Sequence, residues 1–210
     1  MSPRSIPLAL LLVALGVPAG NAAQGQTAAP RSDSLIQAQS EQLQAARRAH
    51  LWRVAAWGGA NALGGLALVW ASSRSTRSAR WHFGAMSAGW GVVNVGIAAG
   101  LLASGSPPVE PNALLAAERQ FHDILLFNLG LNVAYSAVGA TMLGASYYGV
   151  DNVDRWRGFG ASLILQGMGL LVLDGIAFWA SRGRLASLLD AGVQLSVQAA
   201  PAGAALTLQF

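Results

Sequence analysis

Four long apolar segments, almost free of charged residues, constrain this chain more than any other feature of its sequence. Between them they carry one charged residue, Asp174, and they run from Val54 to Ser73, Trp81 to Val109, Ile124 to Val150 and Gly158 to Ser181. A helix needs about 20 predominantly apolar residues to cross a bilayer. The sequence therefore predicts an all-α membrane protein, with a four-helix transmembrane bundle in residues 51–181 and spans at about 52–72, 82–103, 123–148 and 158–180.

The composition supports a membrane protein and excludes several other classes. Only 10% of the residues are charged, against about 25% in soluble domains. The basic residues are all arginines that flank the apolar segments, as membrane topology requires, so no nucleic-acid partner is expected. The absence of lysine is typical of a GC-rich bacterial genome. The absence of cysteine excludes disulfides, thiol catalysis and Cys-based metal sites.

The N-terminus has the pattern of a secretory signal peptide at residues 1–23. Arg4 precedes an apolar stretch from Ile6 to Val17, and small residues follow it. An uncleaved anchor is the alternative. Residues 24–50 then form an exported linker and a weakly amphipathic helix, which we expect to lie on the membrane surface and lead into the first span.

The orientation follows from the signal peptide. Five arginines would lie on one side of the membrane and six on the other, so the positive-inside rule does not decide. An exported N-terminus and four spans place both termini in the periplasm. We therefore expect a multi-pass protein of the bacterial inner membrane.

The tail, residues 182–210, changes its pattern near its end. Val193, Leu195 and Val197 alternate with polar residues, and a second alternating stretch follows a Pro-Ala-Gly turn. Alternation around such a turn predicts a short β-hairpin. An isolated hairpin is marginally stable in water, so we expect it to dock on the membrane surface or on a partner.

Small residues predict where the helices pack. One motif occurs twice, as Trp57-Gly58-x-x-Asn61 and Trp90-Gly91-x-x-Asn94, and Gly96 and Gly100 follow at helical spacing. Glycine lets two helix backbones approach closely in a membrane. We predict that the first two helices pack antiparallel near Gly58 and Gly91. Inverted repeats also frame transporter sites, which is the alternative interpretation.

Each predicted span carries polar residues at a similar depth. Asn61, Asn94, Asn132 and Asp174 form a candidate layer, Tyr135 and Gln166 are expected a little deeper, and Asn128 is a further candidate polar residue. A carboxyl in a span usually faces the bundle interior, so Asp174 should contact Asn94 or Asn132. The layer is either a polar clasp that holds the helices together or a site for a ligand, an ion or a proton.

No motif indicates catalysis, a metal or a cofactor. Glu118, His122 and Asp123 have ligand chemistry at helical spacing, but without a further ligand they fit a solvated helix start better. No nucleophile–base pair or phosphate-binding loop is visible, so we expect no enzyme activity.

Several motifs together resemble a known family. They are Trp90-Gly91-x-x-Asn94, Phe127-Asn128-x-Gly130-Leu131-Asn132-x-Ala134-Tyr135, Asp154-Arg155-x-x-Gly158-Phe159-Gly160, Leu165-Gln166-Gly167 with Asp174, and Pro201-x-Gly203-x-x-Leu206-x-x-x-Phe210. Over about residues 50–210 they resemble an uncharacterised family of small bacterial four-helix membrane proteins. The resemblance implies a membrane domain and no assigned activity.

Two functions remain after these exclusions. The first is a structural or interaction protein of the inner membrane, whose partners are the lipid bilayer and either a second copy or another membrane protein. The alternative is a binding protein or transporter for a small solute, an ion or a proton, which would use the Asn/Asp layer. Four helices are few for a monomeric carrier, so transport would require an oligomer.

Overall fold

The computed structural model describes residues 30–105 and 113–198, with side chains for 34–105 and 113–190, and its regular elements there are all α-helices. They are α1 (Pro30–Trp70), α2 (Ser78–Ala103), α3 (Leu114–Ala145) and α4 (Val153–Gln198). The prediction of an all-α, four-helix chain is therefore correct for the described residues.

Three of these helices, not four, are long and apolar enough to cross a membrane. They are α2, α3 and the stretch of α4 from Val153 to Asp190. The described part of α1 falls short for two reasons: its N-terminal half is polar up to Arg53, and the helix ends at Trp70 before the uncharged segment ends. Length and composition alone therefore support three spans among the described residues.

The four helices form two antiparallel hairpins whose backbones touch at glycines. In the α1–α2 hairpin, a Cβ added to Gly58 would lie 2.8 Å from the carbonyl oxygen of Gly91, and one added to Gly84 would lie 2.7 Å from that of Gly65. Because these distances are shorter than real Cβ contacts, only glycine permits this approach. The first contact lies at the paired Trp-Gly motifs.

The α3–α4 hairpin repeats the contacts of the first. Cβ atoms added to Gly139 and Gly160 would each lie 2.7 Å from the other residue's carbonyl oxygen, and one added to Gly167 would lie 2.6 Å from that of Asn132. Gly139 and Gly160 thus occupy the places of Gly65 and Gly84.

The second backbone contacts of the two hairpins, Gly58–Gly91 and Asn132–Gly167, are also equivalent, because they lie at the same sequence distance from the first contacts. Gly91 follows Gly84 by seven residues, as Gly167 follows Gly160; Gly58 and Gly65 are seven apart, as are Asn132 and Gly139. Asn132 and Gly167 therefore take the places of Gly58 and Gly91.

The two hairpins meet along α2 and α4, which run parallel. The hydroxyls of Ser87 and Ser162 are 2.8 Å apart there. A Cβ on Gly158 would lie 2.7 Å from that of His82. With equivalent hairpins on either side of this contact, the bundle has an approximate two-fold relation that exchanges α1 with α3 and α2 with α4.

The bundle has two unlike ends. At the turn end, residues 71–77 and 146–152 make the two short connections. At the extended end, α1 begins and α4 finishes. These helices have 41 and 46 residues, or about 60 and 70 Å at about 1.5 Å per residue. The hydrocarbon core of a bilayer is only about 30 Å thick, so both helices exceed it.

The extended end has its own apolar cluster, which changes one prediction. Leu43 of α1 is fully buried and packs with Leu114, Phe121, Leu125 and Ala177 of α3 and α4. The amphipathic segment is therefore the first half of α1, continuous with the second half and packed on other helices. It runs into the predicted first span, as expected, but it packs on α3 and α4 rather than lying on the membrane surface.

The tail also differs from its prediction. Residues 192–198, expected to include the first strand of a hairpin, are the last turns of α4. No proline or glycine interrupts the chain between Gly192 and Pro201, so the helix that passes Ser181 continues. The rest of the predicted hairpin and the signal peptide lie outside the described residues.

Candidate functional site

Asp174 lies at the centre of a polar cluster built by three helices. Its side chain is buried in α4, and Asn132 of α3 donates a hydrogen bond from Nδ2 to Asp174 Oδ2 over 2.6 Å. His50 of α1 places Nε2 3.1 Å from Asp174 Oδ1. Both carboxyl oxygens thus have a partner, as a buried carboxyl requires.

His50 is the residue of this cluster that the sequence analysis missed. The sequence predicts that its helix lies on the membrane surface, although His50 recurs in the apolar pattern of that helix, seven residues after Leu43. Because α1 is one continuous helix, His50 shares the inward face with Leu43 and is itself buried, 6% exposed. The continuity of α1 was the missing information.

A second polar pair joins α1 to α4 nearer the turn end. Gln166 Nε2 donates to Asn61 Oδ1 over 2.7 Å, and Asn61 Nδ2 donates to the carbonyl oxygen of Trp57 over 2.8 Å. Gln166 was expected deeper than Asp174, and Asn61 lies with it rather than in the layer of Asp174. The polar residues therefore form two groups, one around Asp174 and one at Asn61 and Gln166.

A cavity of 480 Å³ opens beside Asp174, between α2 and α3. Within the described residues these two helices have no Cα atoms within 8 Å of each other, whereas every other helix pair has some. His50, Asn132 and Asp174 line the cavity's inner side. Its outer walls are apolar, and three of their residues stay about half exposed to the surroundings of the bundle: Ile97, Leu101 and Ile124.

The remaining predicted layer residues also line this cavity. Asn94 is buried, and its Nδ2 has no hydrogen-bond partner, so it is not the partner of Asp174. Asn128 is half-buried in the α3 wall. Tyr135 meets Trp90 across the gap, with ring centroids 5.0 Å apart, and this pair closes the cavity towards the turn end.

The two-fold relation explains where the cavity lies. Asn61 precedes Gly65 by four residues, as Tyr135 precedes Gly139, and Gln166 and Trp90 each come directly before an equivalent glycine. We call the boundary between two neighbouring helices of different hairpins a seam. The Asn61–Gln166 hydrogen bond of the α1–α4 seam corresponds to the Trp90–Tyr135 contact of the α2–α3 seam.

The same two-fold relation shows which residues of the α2–α3 seam are equivalent to His50 and Asp174. Asp174 lies seven residues after Gly167, as Ala98 lies seven after Gly91; His50 and Ile124 are likewise equivalent. His50 and Asp174 fill the α1–α4 seam, whereas Ala98 and Ile124 line the cavity of the α2–α3 seam. One seam is closed and the other is open.

The cavity reaches the extended end at a polar mouth. Arg47, Ser104, Gly105 and Gln120 line it there. The half-buried guanidinium of Arg47 donates to the carbonyl oxygen of Ala117 and lies over the ring of Phe121, 5.5 Å from its centroid. Burial lowers the pKa of Arg47; nearby Glu118 opposes that shift and Arg184 adds to it.

Glu118 belongs to a buried ionic cluster rather than to a solvated helix start. It is 1% exposed and accepts hydrogen bonds from Ser181 Oγ at 2.5 Å and from Arg184 Nη2 at 2.9 Å and Nε at 3.1 Å. The prediction was wrong because it ended the fourth helix near Ser181, whereas α4 continues and brings Arg184 over the carboxylate. Among the described residues, no group of three His, Asp or Glu side chains is arranged to hold a metal.

The helix-packing residues fall into two sets. Gly58 and Gly91 lie in the α1–α2 contact, and Trp57 packs on Gly169 of α4. Gly96 and Gly100 do not contact another helix: a Cβ on either would meet nothing within 4 Å. They lie on the exposed face of α2, away from the face that carries Gly91 and Asn94.

The region that contains most of these residues is shared with other proteins. Residues 53–175 match the profile of a family of unknown function, DUF6992. The chain belongs to this family. The resemblance to an uncharacterised family is thereby confirmed. The DUF6992 match covers Asn61, Asn94, Asn132 and Asp174 and begins after His50. No curated protein and no solved structure matches the chain.

Proposed function

We propose that this protein is an integral membrane protein that binds a small amphipathic molecule in the cavity between α2 and α3. The observation that carries the proposal is the cavity itself, whose 480 Å³ falls within the range of about 300–1,000 Å³ that ligand sites occupy. Apolar walls around a few convergent polar groups are the usual composition of such a site.

The cavity favours binding over a purely structural role for the polar layer. A clasp requires only that polar groups bond across a closed contact, as Gln166 Nε2 and Asn61 Oδ1 do between α4 and α1. The open seam instead leaves the His50–Asp174 pair facing a space that no side chain of residues 34–105 and 113–190 fills. Structural support of a partner protein is the second candidate, and the long helices at the extended end favour it.

The proposal includes a position in the membrane. The second half of α1 packs along α2, a candidate span, at Gly58 and Gly65, so we place it across the bilayer with the other three helices. The inner membrane, with the extended end in the periplasm, is the location that the apparent signal peptide favours. The half-exposed walls of the open seam then face lipid, and the ligand enters from the side.

Filling the cavity tests the proposal. Leu131→Trp places a large side chain in the cavity wall, whereas Leu126→Trp places one on the exposed face of the same helix. In phosphatidylcholine nanodiscs, the wild type and Leu126→Trp should bind palmitate, hexadecyl phosphate or hexadecanol at one site by native mass spectrometry. Leu131→Trp should lose at least tenfold in affinity at an unchanged melting temperature.

Two results would contradict the binding function. In the first, none of the three probes binds the wild type. In the second, both tryptophan variants bind as the wild type does, which would place any binding outside the cavity.

A further inference from the structure

The mouth of the cavity carries a cation, Arg47, that forms no direct ion pair among the described residues. Among the described residues, no carboxylate oxygen lies within 4.0 Å of the Arg47 guanidinium. Glu118 lies near enough to raise the pKa of Arg47, but its carboxylate oxygens bond to Arg184 and Ser181 instead. A half-buried guanidinium has lost part of its hydration, and a bound anion replaces that hydration best.

Arg47 is also held in position to meet a ligand. One of its five N–H groups bonds to the Ala117 carbonyl oxygen, and the ring of Phe121 supports its plane. Both contacts fix the side chain at the mouth, beside Ser104 and Gln120. The remaining donors form a planar fork that matches carboxylate and phosphate oxygens.

Below this mouth the cavity is suited to a hydrocarbon chain. Its outer walls are formed by aliphatic side chains of α2 and α3, of which Ile97, Leu101 and Ile124 are about half exposed to the side of the bundle. The Trp90–Tyr135 pair then limits how far a chain can extend towards the turn end.

We propose that the occupant is a single-chain anionic amphiphile, whose carboxylate or phosphate binds Arg47 while its chain lies in the open seam. This inference rests on the proposed function and specifies its ligand. It assigns Arg47 the selection of the head group, and it assigns the α2 and α3 walls the selection of the chain.

Charge selectivity in the same nanodiscs tests the inference. Palmitate and hexadecyl phosphate should bind the wild type at least tenfold more tightly than hexadecanol, which has the same chain length without charge. Arg47→Gln should remove that difference while leaving hexadecanol binding unchanged, and Arg47→Lys should restore most of it. Arg119→Gln, an exposed arginine at the same end, is the matched control and should bind all three as the wild type does.

The possible outcomes separate this inference from the function on which it rests. Equal binding of all three probes to the wild type, with loss of all three in Leu131→Trp, leaves the cavity function standing and overturns the anionic ligand. Tight binding of palmitate alone identifies a carboxylate, and of hexadecyl phosphate alone a phosphate. If Arg47→Gln and Arg119→Gln weaken anion binding equally, the anion binds by general surface charge and the assignment to Arg47 is wrong.

Discussion

At the scale of single residues, the environment of Asp174 decides what the site can do. Asn132 and His50 occupy its two oxygens, so the carboxyl serves two helices at once. Removing one partner of such a buried pair leaves the others unsatisfied, at about 1–3 kcal/mol for each group. The cluster therefore supports both stability and the inner wall of the cavity.

Two substitutions of Asp174 separate these contributions. Asp174→Leu should lower the free energy of unfolding by about 2–5 kcal/mol, because Asn132 and His50 both lose a buried partner. Asp174→Asn keeps one side-chain oxygen as an acceptor for one neighbour, so its loss in free energy of unfolding should be about half that of Asp174→Leu. Denaturant titration in detergent would measure both variants. Equal stability of Asp174→Leu and the wild type would show that the cluster does not hold the helices together.

Depth in the helices narrowed one partner of Asp174 to Asn94 or Asn132 and did not predict the other partner, His50. Asn132 lies at the depth of Asp174 on an adjacent span, so counting residues from the helix ends places the two together. His50 required the knowledge that α1 continues unbroken for 41 residues. The sequence around it is polar enough to be typical of a surface helix, and only the packing of Leu43 on α3 and α4 shows otherwise.

At the scale of helices, backbone contacts at glycine set the register of both hairpins. A Cβ on Gly91 would lie 2.5 Å from the carbonyl oxygen of Gly58 and would also strike the backbone of Ala62. Both obstacles are main-chain atoms, so no side chain can move aside. The helices themselves would have to separate.

Gly91→Leu should therefore destabilise the protein, and Gly96→Leu should not. Over-packing of a close contact costs about 1–3 kcal/mol or more, whereas Gly96 faces outward on the same helix with nothing within 4 Å. The melting temperatures of the two variants in one detergent give the comparison. Equal melting temperatures would mean that α1 and α2 are not in contact at Gly91.

The sequence located this contact because Trp-Gly-x-x-Asn is repeated in the two helices. It also selected Gly96 and Gly100, which make no helix contact. Spacing alone cannot separate these cases, because a small residue at every fourth position describes a face of the helix without saying which neighbour covers it. The glycine contacts of α3 with α4 involve Gly139, Gly160 and Gly167, which no packing motif had marked.

At the scale of the whole molecule, orientation and the number of spans can be tested together. Ala38 and Asp190 are exposed at the extended end, and Ser75 is exposed at the turn end. Single cysteines at these positions, in a chain without native cysteine, should react with an impermeant maleimide from outside at 38 and 190 but not at 75. Labelling of 38 and 75 from the same side would show that α1 does not cross the membrane. Labelling of 75 alone would reverse the orientation.

The arrangement of helices was predictable only in part. The length of the apolar segments predicted four helices and their order, because an uncharged segment of about 20 residues is typical of a membrane helix. It could not predict that α4 extends past its span, or that the amphipathic helix before the first span packs on α3 and α4. Nor could it predict which pairs of helices separate, because that depends on residues such as Ala98 and Ile124, which look like any other apolar pair.

The presence of both hairpins in one chain allows the two seams of the bundle to differ. Two identical chains, each contributing one hairpin, would be related by an exact two-fold axis, and their two seams would be the same by symmetry. Both seams would then be filled, or both would be vacant. Joining the hairpins in one polypeptide removes that restriction, so His50 and Asp174 occupy one seam while Ile124 and Ala98 leave the other free. Among the described residues, the bundle therefore has one open seam and one closed seam, whereas its symmetric counterpart would have two open seams or none.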